Sequence, residues 1–169
     1  MDFNKLIEKA KKSSFNLWLL NVILHRFIPF NKPHGLIIVK ISNEEVQVKV
    51  PYKKSNLNHI KGLHACVLAT AAEYSSGLLL LYKIGSKDYR IIMESMTVEY
   101  HYQAKMAAIA SFSISEEEFN STVLNPLTKD GKVQKQCIIK LHDIKENHLC
   151  TAYTNWQIKE WNSVKTKLK

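Results

Sequence analysis

The stretch that most constrains the fold runs from His64 to Tyr82, because Glu73 is its only formally charged residue. The residues around Glu73 are mainly Ala, Leu, Val, Ser and Thr, which predicts a helix that is apolar nearly all round. Such a helix is buried inside a domain. A buried carboxylate is costly unless it is hydrogen-bonded, neutralised or used in chemistry. We therefore expect the rest of the chain to wrap around this helix.

The composition indicates one folded domain. The chain has 169 residues, of which 46% are hydrophobic and 23% charged, and this is enough for a single core. The formal net charge of +9 favours partners that carry phosphate, namely nucleic acid, anionic lipid or a phosphorylated small molecule. The lysines are scattered and arginine occurs only as Arg26 and Arg90, which argues against nucleic acid.

The cysteines and the N-terminus indicate a cytoplasmic location. Cys66, Cys137 and Cys150 are odd in number and form no CxxC pattern, so we expect free, buried thiols in a reducing compartment. Residues 1–15 lack the apolar core of a signal peptide. The apolar runs 15–30 and 64–82 are both interrupted by polar residues, which argues against a membrane span.

Residues 2–27 have apolar side chains at three- and four-residue spacing, which predicts an amphipathic helix that ends before Pro29 and Pro33. We interpret it as a helix packed against the edge of the domain. The alternative is a peripheral membrane contact, because aromatic and basic residues lie side by side in this region. These residues are Trp18, Phe27, Phe30, Lys11, Lys12 and Arg26.

Alternating apolar residues predict six strands in the remaining chain. Their ranges are 36–42, 45–51, 89–103, 106–114, 132–142 and 149–161. In the third strand we expect one face to carry Ile92, Met96, Val98, Tyr100 and Tyr102. A short helix capped by Ser115 should stop near Asn125-Pro126.

This order of elements predicts an α+β fold. An antiparallel curved sheet of about six strands wraps around one long buried helix, and an N-terminal helix packs on the outside. We assign residues 1–33 to the N-terminal helix, 34–162 to the domain and 163–169 to a basic tail.

The geometry of the central helix separates two candidate groups. Backbone N–H groups near Ala65 have no partners within the helix and can hold an oxyanion. Glu73 lies nine residues after His64, about 13 Å along the axis and on the opposite face. One copy therefore cannot bring both groups to one substrate atom, whereas two antiparallel copies can. If both groups are catalytic, the site lies between subunits.

Asn58-x5-His64 followed by Glu73 resembles the signature of hotdog-fold acyl-CoA thioesterases of the phenylacetate-degradation and 4-hydroxybenzoyl-CoA types. Their pattern is Asn or Gln, x5, His-Gly-Gly, and then an acid nine residues after the His. The N-terminal helix, the proline before the first strand, Asn58-His59 and Gly85-x2-Asp88-Tyr89 resemble a bacterial domain-of-unknown-function branch of that superfamily.

The resemblance implies a hotdog fold and a role for each matching residue. Glu73 would act as general base or nucleophile, the Ala65 amide would polarise the thioester carbonyl, and Asn58 and His64 would position water or substrate. The site would lie at the interface of a homodimer or of dimers paired into a tetramer. The substrate would be acyl-CoA or a related thioester, and neither a further cofactor nor a metal is expected.

One departure from the family pattern affects the site. His-Gly-Gly is replaced by His64-Ala65-Cys66. Ala65 keeps its N–H, but its methyl group occupies space that the family leaves for the thioester, and Cys66 is bulkier than the second glycine. This favours an alternative function, a non-catalytic hotdog protein that binds acyl-CoA, acyl-carrier protein or a lipid-like ligand.

Each candidate residue also has a purely structural interpretation. Glu73 could be hydrogen-bonded inside the core, His64 could cap the helix and Asn58 could form a turn. Four cations flank the predicted site and would contact coenzyme A phosphates, or else form a solvated surface: Lys53, Lys54, Lys61 and Arg90. The third candidate function is a basic protein that binds a membrane surface or nucleic acid.

Overall fold

The computed structural model describes residues 3–85 and 87–164. Six antiparallel strands form one sheet in the order β1-β2-β4-β5-β6-β3. The strands are β1 (Ile37–Ile41), β2 (Glu45–Val50), β3 (Tyr89–Tyr100), β4 (Ala108–Ser113), β5 (Lys132–Asp143) and β6 (His148–Glu160). The helices are α1 (Phe3–Ala10), α2 (Ser14–Phe27), α3 (Ala65–Ile84), α4 (Glu116–Phe119) and α5 (Asn125–Asp130). Short 3-10 turns lie at Pro29–Asn31, Lys54–Asn56 and Trp161–Ser163.

Helix α3 packs against the inner face of the sheet, which confirms the predicted α+β architecture. Ala71, Ala72, Leu79 and Leu80 have no exposed surface. By length and composition α3 could cross a membrane, but more than half of it is buried inside the domain. The helix is therefore the centre of the core.

The predicted face of β3 is wrong at Ile92. The pairing of β3 with β6 shifts between Met93 and Ser95, where a bulge inserts an extra residue. Before the bulge Ile91 and Met93 face the core, and after it Met96 and Val98 do. Ile92 is consequently 45% exposed. The strand also ends at Tyr100, so Tyr102 lies beyond it.

The single helix predicted over residues 2–27 is two helices. The helix is interrupted between Ala10 and Ser14. The Ser13 side chain caps α2 by accepting a hydrogen bond from the Asn16 N–H. Serine competes for backbone hydrogen bonds, so it favours a new helix start over continuation. Periodicity alone does not reveal this break, because the apolar spacing continues across it.

Helix α2 covers the edge strand β1 through polar contacts. The Asn21 side chain donates to the Ile38 carbonyl at 2.9 Å and accepts from the Ile38 N–H at 2.7 Å. The His25 Nε2 lies 2.7 Å from the Leu36 carbonyl oxygen. The amide of Asn21 thus takes the place of a neighbouring strand and satisfies backbone groups at the sheet edge.

The helix predicted to stop at Asn125-Pro126 continues to Asp130. A π-helical segment, Asn120–Leu124, follows α4, and Pro126 then lies in the first turn of α5. Proline is tolerated there because its missing N–H has no partner within a new helix. Gly131 ends α5 with a φ of +65°, in the left-handed region that favours glycine.

The domain boundaries remain predictions. Residues 165–169 of the predicted basic tail lie outside the described residues. Within the described chain, α1 and α2 contribute to the same core as the sheet, through Leu6, Ile7, Leu20 and Leu24.

Candidate functional site

Glu73 lies half-buried on the wall of a cavity of about 570 Å³ between α2, α3 and the strands β3 and β6. Apart from Glu73 and the phenol of Tyr74, the side chains that line this cavity are apolar. The lining comprises Phe3, Ile23, Leu24, Phe27, Ile28, Glu73, Tyr74, Gly77, Leu78, Leu81, Ile91 and Trp156. The volume lies in the range of small-molecule sites, roughly 300–1,000 Å³.

The Glu73 carboxylate forms neither a hydrogen bond nor an ion pair with any residue in the described ranges 3–85 and 87–164. Burial raises its pKa above the ordinary value, because the apolar surroundings disfavour the charged form. The neighbouring Tyr74 has a raised pKa as well, first through burial and then through the charge of Glu73. The structure thus shows an unpaired acid facing a cavity, rather than an acid hydrogen-bonded within the core.

One wall of the cavity depends on a close approach between α3 and β6. A side chain carbon on Gly77 would lie 2.8 Å from the Trp156 ring, so the ring occupies the space that any other residue would need. The Trp156 Nε1–H donates to Ser76 Oγ at 3.2 Å and to Thr154 Oγ1 at 3.0 Å. Sequence reasoning missed this set. The signal was present in the polar Ser75-Ser76-Gly77 triplet inside an apolar helix.

His64 caps α3. Its Nδ1 accepts a hydrogen bond from the Cys66 N–H at 3.1 Å, so the neutral ring carries its proton on Nε2. The Ala65 N–H makes no hydrogen bond within the described chain, and Ala65 is an exposed residue at the helix N-terminus. The Ala65 carbonyl accepts from the Tyr100 hydroxyl at 2.9 Å, which ties this helix end to the end of β3.

Asn58 forms the turn that precedes α3. Its Oδ1 accepts hydrogen bonds from the N–H groups of Ile60 and Gly62, at 3.1 and 2.9 Å. Among the described residues no partner is bound to its Nδ2, which remains able to donate. The side chain therefore shapes the loop and keeps one donor group.

Asn56 is a second structural residue that the sequence reading did not identify. It is 1% exposed, and its Nδ2 donates to the carbonyls of His34 and Pro51 at 2.8 and 3.0 Å. Its own carbonyl accepts from the His64 N–H at 2.8 Å. Asn56 thus fixes the loop from which α3 begins.

Within one chain the predicted site residues fall into separate groups. Glu73 lies eight residues after Ala65, about 12 Å along the axis of α3. Lys61 lies in the loop just before α3, and Lys54 begins the turn that ends at Asn56. The Lys53 ammonium lies over Gly35.

Arg90 is remote from those lysines. It lies ten residues before Tyr100 on β3, about 33 Å along the strand from the end that contacts Ala65. Its guanidinium donates to Gln157 Oε1 at 2.9 Å. A single protomer therefore does not collect the four predicted phosphate contacts at one place.

The expectation of three buried thiols is wrong for Cys66, which is exposed in the first turn of α3. Cys137 and Cys150 are buried, and burial raises the pKa of each thiol to about 12. Three histidine rings that the sequence reading did not connect lie at the end of the sheet. The His148 ring stacks with His142 at a centroid distance of 4.9 Å and lies tilted against His101 at 4.6 Å. No His, Cys, Asp or Glu group in the described chain has metal-binding geometry.

A curved six-stranded antiparallel sheet around one long helix is the hotdog fold, the class that contains many thioesterases. The chain belongs to the domain-of-unknown-function family DUF4442, which it matches over residues 17–158. No curated protein matches the sequence.

Solved structures that resemble the chain support the same fold. One is a Pseudomonas aeruginosa protein of unknown function described as a probable thioesterase. It is 22% identical, with a TM-score of 0.75 over 80% of this chain and 90% of that one. A Shewanella oneidensis protein provisionally named a thioesterase is 15% identical, with a TM-score of 0.67 over 83% and 95%. A Haemophilus influenzae thioesterase is 9% identical, with a TM-score of 0.65 over 85% and 92%.

Proposed function

We propose that the protein hydrolyses a thioester, acyl-CoA or a related compound, with Glu73 as general base or nucleophile. The observation that carries this proposal is the unpaired Glu73 carboxylate on the wall of an otherwise apolar cavity. An acid that costs free energy at this position, with no structural partner, is a candidate functional group. The thioesterase neighbours supply the reaction class.

The cavity and the acid suit the two ends of the reaction. Apolar walls formed by residues such as Leu78 and Ile91 accept the acyl group. A carboxylate with a raised pKa is a better base at neutral pH than an ordinary one. Glu73 takes a proton from water, the resulting hydroxide attacks the thioester carbon, and the thiolate leaves. Alternatively, Glu73 itself attacks and water hydrolyses the resulting anhydride.

The carbonyl oxygen needs donors that Glu73 does not supply. The Ala65 N–H at the N-terminus of α3 is such a donor, aided by the helix dipole. The nearby His64 ring carries an Nε2–H that can hold water or substrate. Because Ala65 and Glu73 are about 12 Å apart along one helix, we assign them to opposite subunits of a homodimer.

The edge of the sheet supports a dimer. Strand β3 is twelve residues long and lies at the end of the strand order, so one of its edges has no neighbouring strand among the described residues. A long free edge is a template for pairing with a second copy. Antiparallel pairing there also brings Arg90 of one copy towards the Ala65 end of the other. This arrangement would gather Arg90 with Lys54 and Lys61 around one coenzyme A.

The test is hydrolysis of an acyl-CoA panel of increasing chain length, followed by release of free thiol. We expect turnover by the wild type and a loss of at least about 100-fold in Glu73→Gln, because the base is removed while the size of the side chain is kept. Glu117→Gln is the matched control, since Glu117 is an exposed acid on α4, outside the cavity and the β3 edge. Equal rates in Glu73→Gln and wild type would refute the assignment of the base.

A non-catalytic acyl-CoA-binding protein is the second candidate, favoured by the Ala65 methyl and the Cys66 side chain at the opening of α3. In that case the wild type binds acyl-CoA without releasing thiol. The double variant Ala65→Gly/Cys66→Gly, which matches the family pattern, would then gain turnover. Hydrolysis by the wild type rejects this candidate.

A further inference from the structure

The outer face of α2 carries a stripe of exposed apolar side chains that is not used in the core. Phe15, Trp18 and Val22 lie at helical spacing on one face, and Phe27 and Phe30 follow at the end of the helix. Their exposed fractions are 66%, 58%, 46%, 69% and 65%. Clustered aromatic residues of this exposure mark an interaction surface on a soluble domain.

The helix is firmly fixed with this face outward. Leu20 and Leu24 on its inner side are buried in the core, and Asn21 is bonded to both backbone groups of Ile38. The aromatic residues are therefore exposed by the packing of the helix, because turning them inward would break these contacts.

The segment of sequence that contains the stripe carries charged residues of one sign only. From Lys9 to Asn43 the chain has six basic residues and no aspartate or glutamate. Lys11 pairs with Glu8 and Lys40 with Glu45. The other four cations make no ion pair or side-chain hydrogen bond within the described chain. They are Lys9, Lys12, Arg26 and Lys32.

We propose that α2 docks on an anionic lipid surface, with its aromatic stripe in the interface and its cations on the headgroups. Amphipathic aromatic residues and flanking Lys or Arg are the chemistry that such a surface recognises. A second copy is a poorer occupant of the same face, since it would bring two cationic surfaces together. This proposal is independent of the thioesterase activity.

The position of the stripe also relates the surface to the cavity. Ile23, Phe27 and Ile28 of the α2 region line the cavity that contains Glu73. Docking of α2 would therefore place the opening of the cavity beside the lipid. If the protein hydrolyses thioesters, the acyl chain of the substrate would enter the cavity from the lipid side.

The experiment is co-sedimentation of the full chain with vesicles, in the absence of any substrate. Vesicles of phosphatidylcholine with phosphatidylglycerol are compared with pure phosphatidylcholine. We expect binding to the anionic vesicles that weakens as salt is added. The variant Phe15→Ser/Trp18→Ser should lower the partition coefficient at least about tenfold, since both rings lose burial in the interface.

Matched controls separate docking from general effects of apolar area and charge. Ile138→Ser/Ile144→Ser removes two exposed side chains elsewhere and should bind like wild type. Lys12→Glu/Arg26→Glu should weaken binding on the order of 25-fold or more, because electrostatic attraction to the headgroups is lost at each position. Lys129→Glu/Lys132→Glu changes the net charge equally, at exposed positions on α5 and β5 away from α2, and should weaken it much less. Thermal unfolding of each variant checks its fold.

Two results would overturn the proposal. One is equal partition of wild type and Phe15→Ser/Trp18→Ser into anionic vesicles. The other is a change of oligomeric state in that variant, measured by sedimentation, which would assign the stripe to contact between copies. Vesicle binding is measured without substrate, so it should be found even if the protein hydrolyses no thioester. The two proposals can therefore fail separately.

Discussion

At the scale of the residue, Glu73 should reduce stability at neutral pH. Its folded-state pKa is raised by burial, so the folded state binds this proton more tightly than the unfolded state does. Stability from this group is present at low pH and is lost as pH rises through the folded pKa.

Glu73→Gln should therefore raise the free energy of unfolding at pH 7, on the order of 1 kcal/mol, the cost of a partly desolvated charge without a partner. The gain in stability should vanish below about pH 4, where Glu73 is protonated in both the folded and the unfolded state. Urea unfolding across this pH range measures it. A variant that is less stable than wild type at pH 7 would mean that the carboxylate has a stabilising partner.

The same pKa predicts the pH dependence of turnover. A general base acts when ionised, so kcat/KM should rise with pH through a midpoint above the ordinary range of glutamate, about 4.3. The rise should be absent from the residual activity of Glu73→Gln. An activity that is flat from acid to neutral pH would exclude Glu73 as the titrating base.

The Ala65 amide can be tested although it belongs to the backbone. Proline at the first helical position removes the N–H and is tolerated there. His64 already has the extended backbone that precedes proline, with φ −66° and ψ 139°. Ala65→Pro should lower kcat about 100- to 1,000-fold with little change in thermal unfolding. Ala65→Gly keeps the N–H and should retain activity.

At the scale of the element, Gly77 determines how closely α3 approaches β6. Gly77→Ala would gain helix propensity, about 1 kcal/mol, but its methyl group would meet the Trp156 ring. Overpacking of this kind costs about 1–3 kcal/mol, so we expect a net loss of stability. Thermal unfolding tests this, with Ala69→Gly, at a half-buried position of the same helix, as the comparison for helix propensity. A more stable Gly77→Ala would show that the helix and strand separate readily.

The elements also show what sequence patterns can and cannot reveal. The alternation in β4 and β5 predicted their buried faces, because period two is visible in the residues themselves. In β3 it failed at Ile92, because a bulge changes the face without leaving a mark in the alternation. Pro126 predicts a helix end, although it lies in the first turn of α5, which follows a π-helical segment.

The site was partly predictable for the same reason. Glu73 stands out as the one charge in an apolar helix, and its identification needs no tertiary information. The cavity cannot be predicted in this way, because it lies between α2 and α3, which are some fifty residues apart in the chain. The contact of Gly77 with Trp156 likewise joins positions that no local pattern connects.

At the scale of the whole molecule, the proposed hydrolysis requires two copies of the chain to share a site. Glu73 and Ala65 are separated within one protomer, and Arg90 is separated from Lys54 and Lys61. The symmetric dimer that we propose would bring Glu73 of one copy to Ala65 of the other, and Arg90 to Lys54 and Lys61, at two equivalent sites. A shared site would then explain both the lone charge of Glu73 in the apolar part of α3 and the edge of β3 that has no neighbouring strand among the described residues.

Mixed dimers of Glu73→Ala and Ala65→Pro test this sharing most directly. Each variant alone should be nearly inactive in thiol release. After co-refolding in equal amounts, half of the dimers are mixed and each mixed dimer has one intact site, so we expect about a quarter of wild-type turnover. Restored activity at that level would place Glu73 and Ala65 in different subunits. A mixture as inactive as its two components would contradict the shared site.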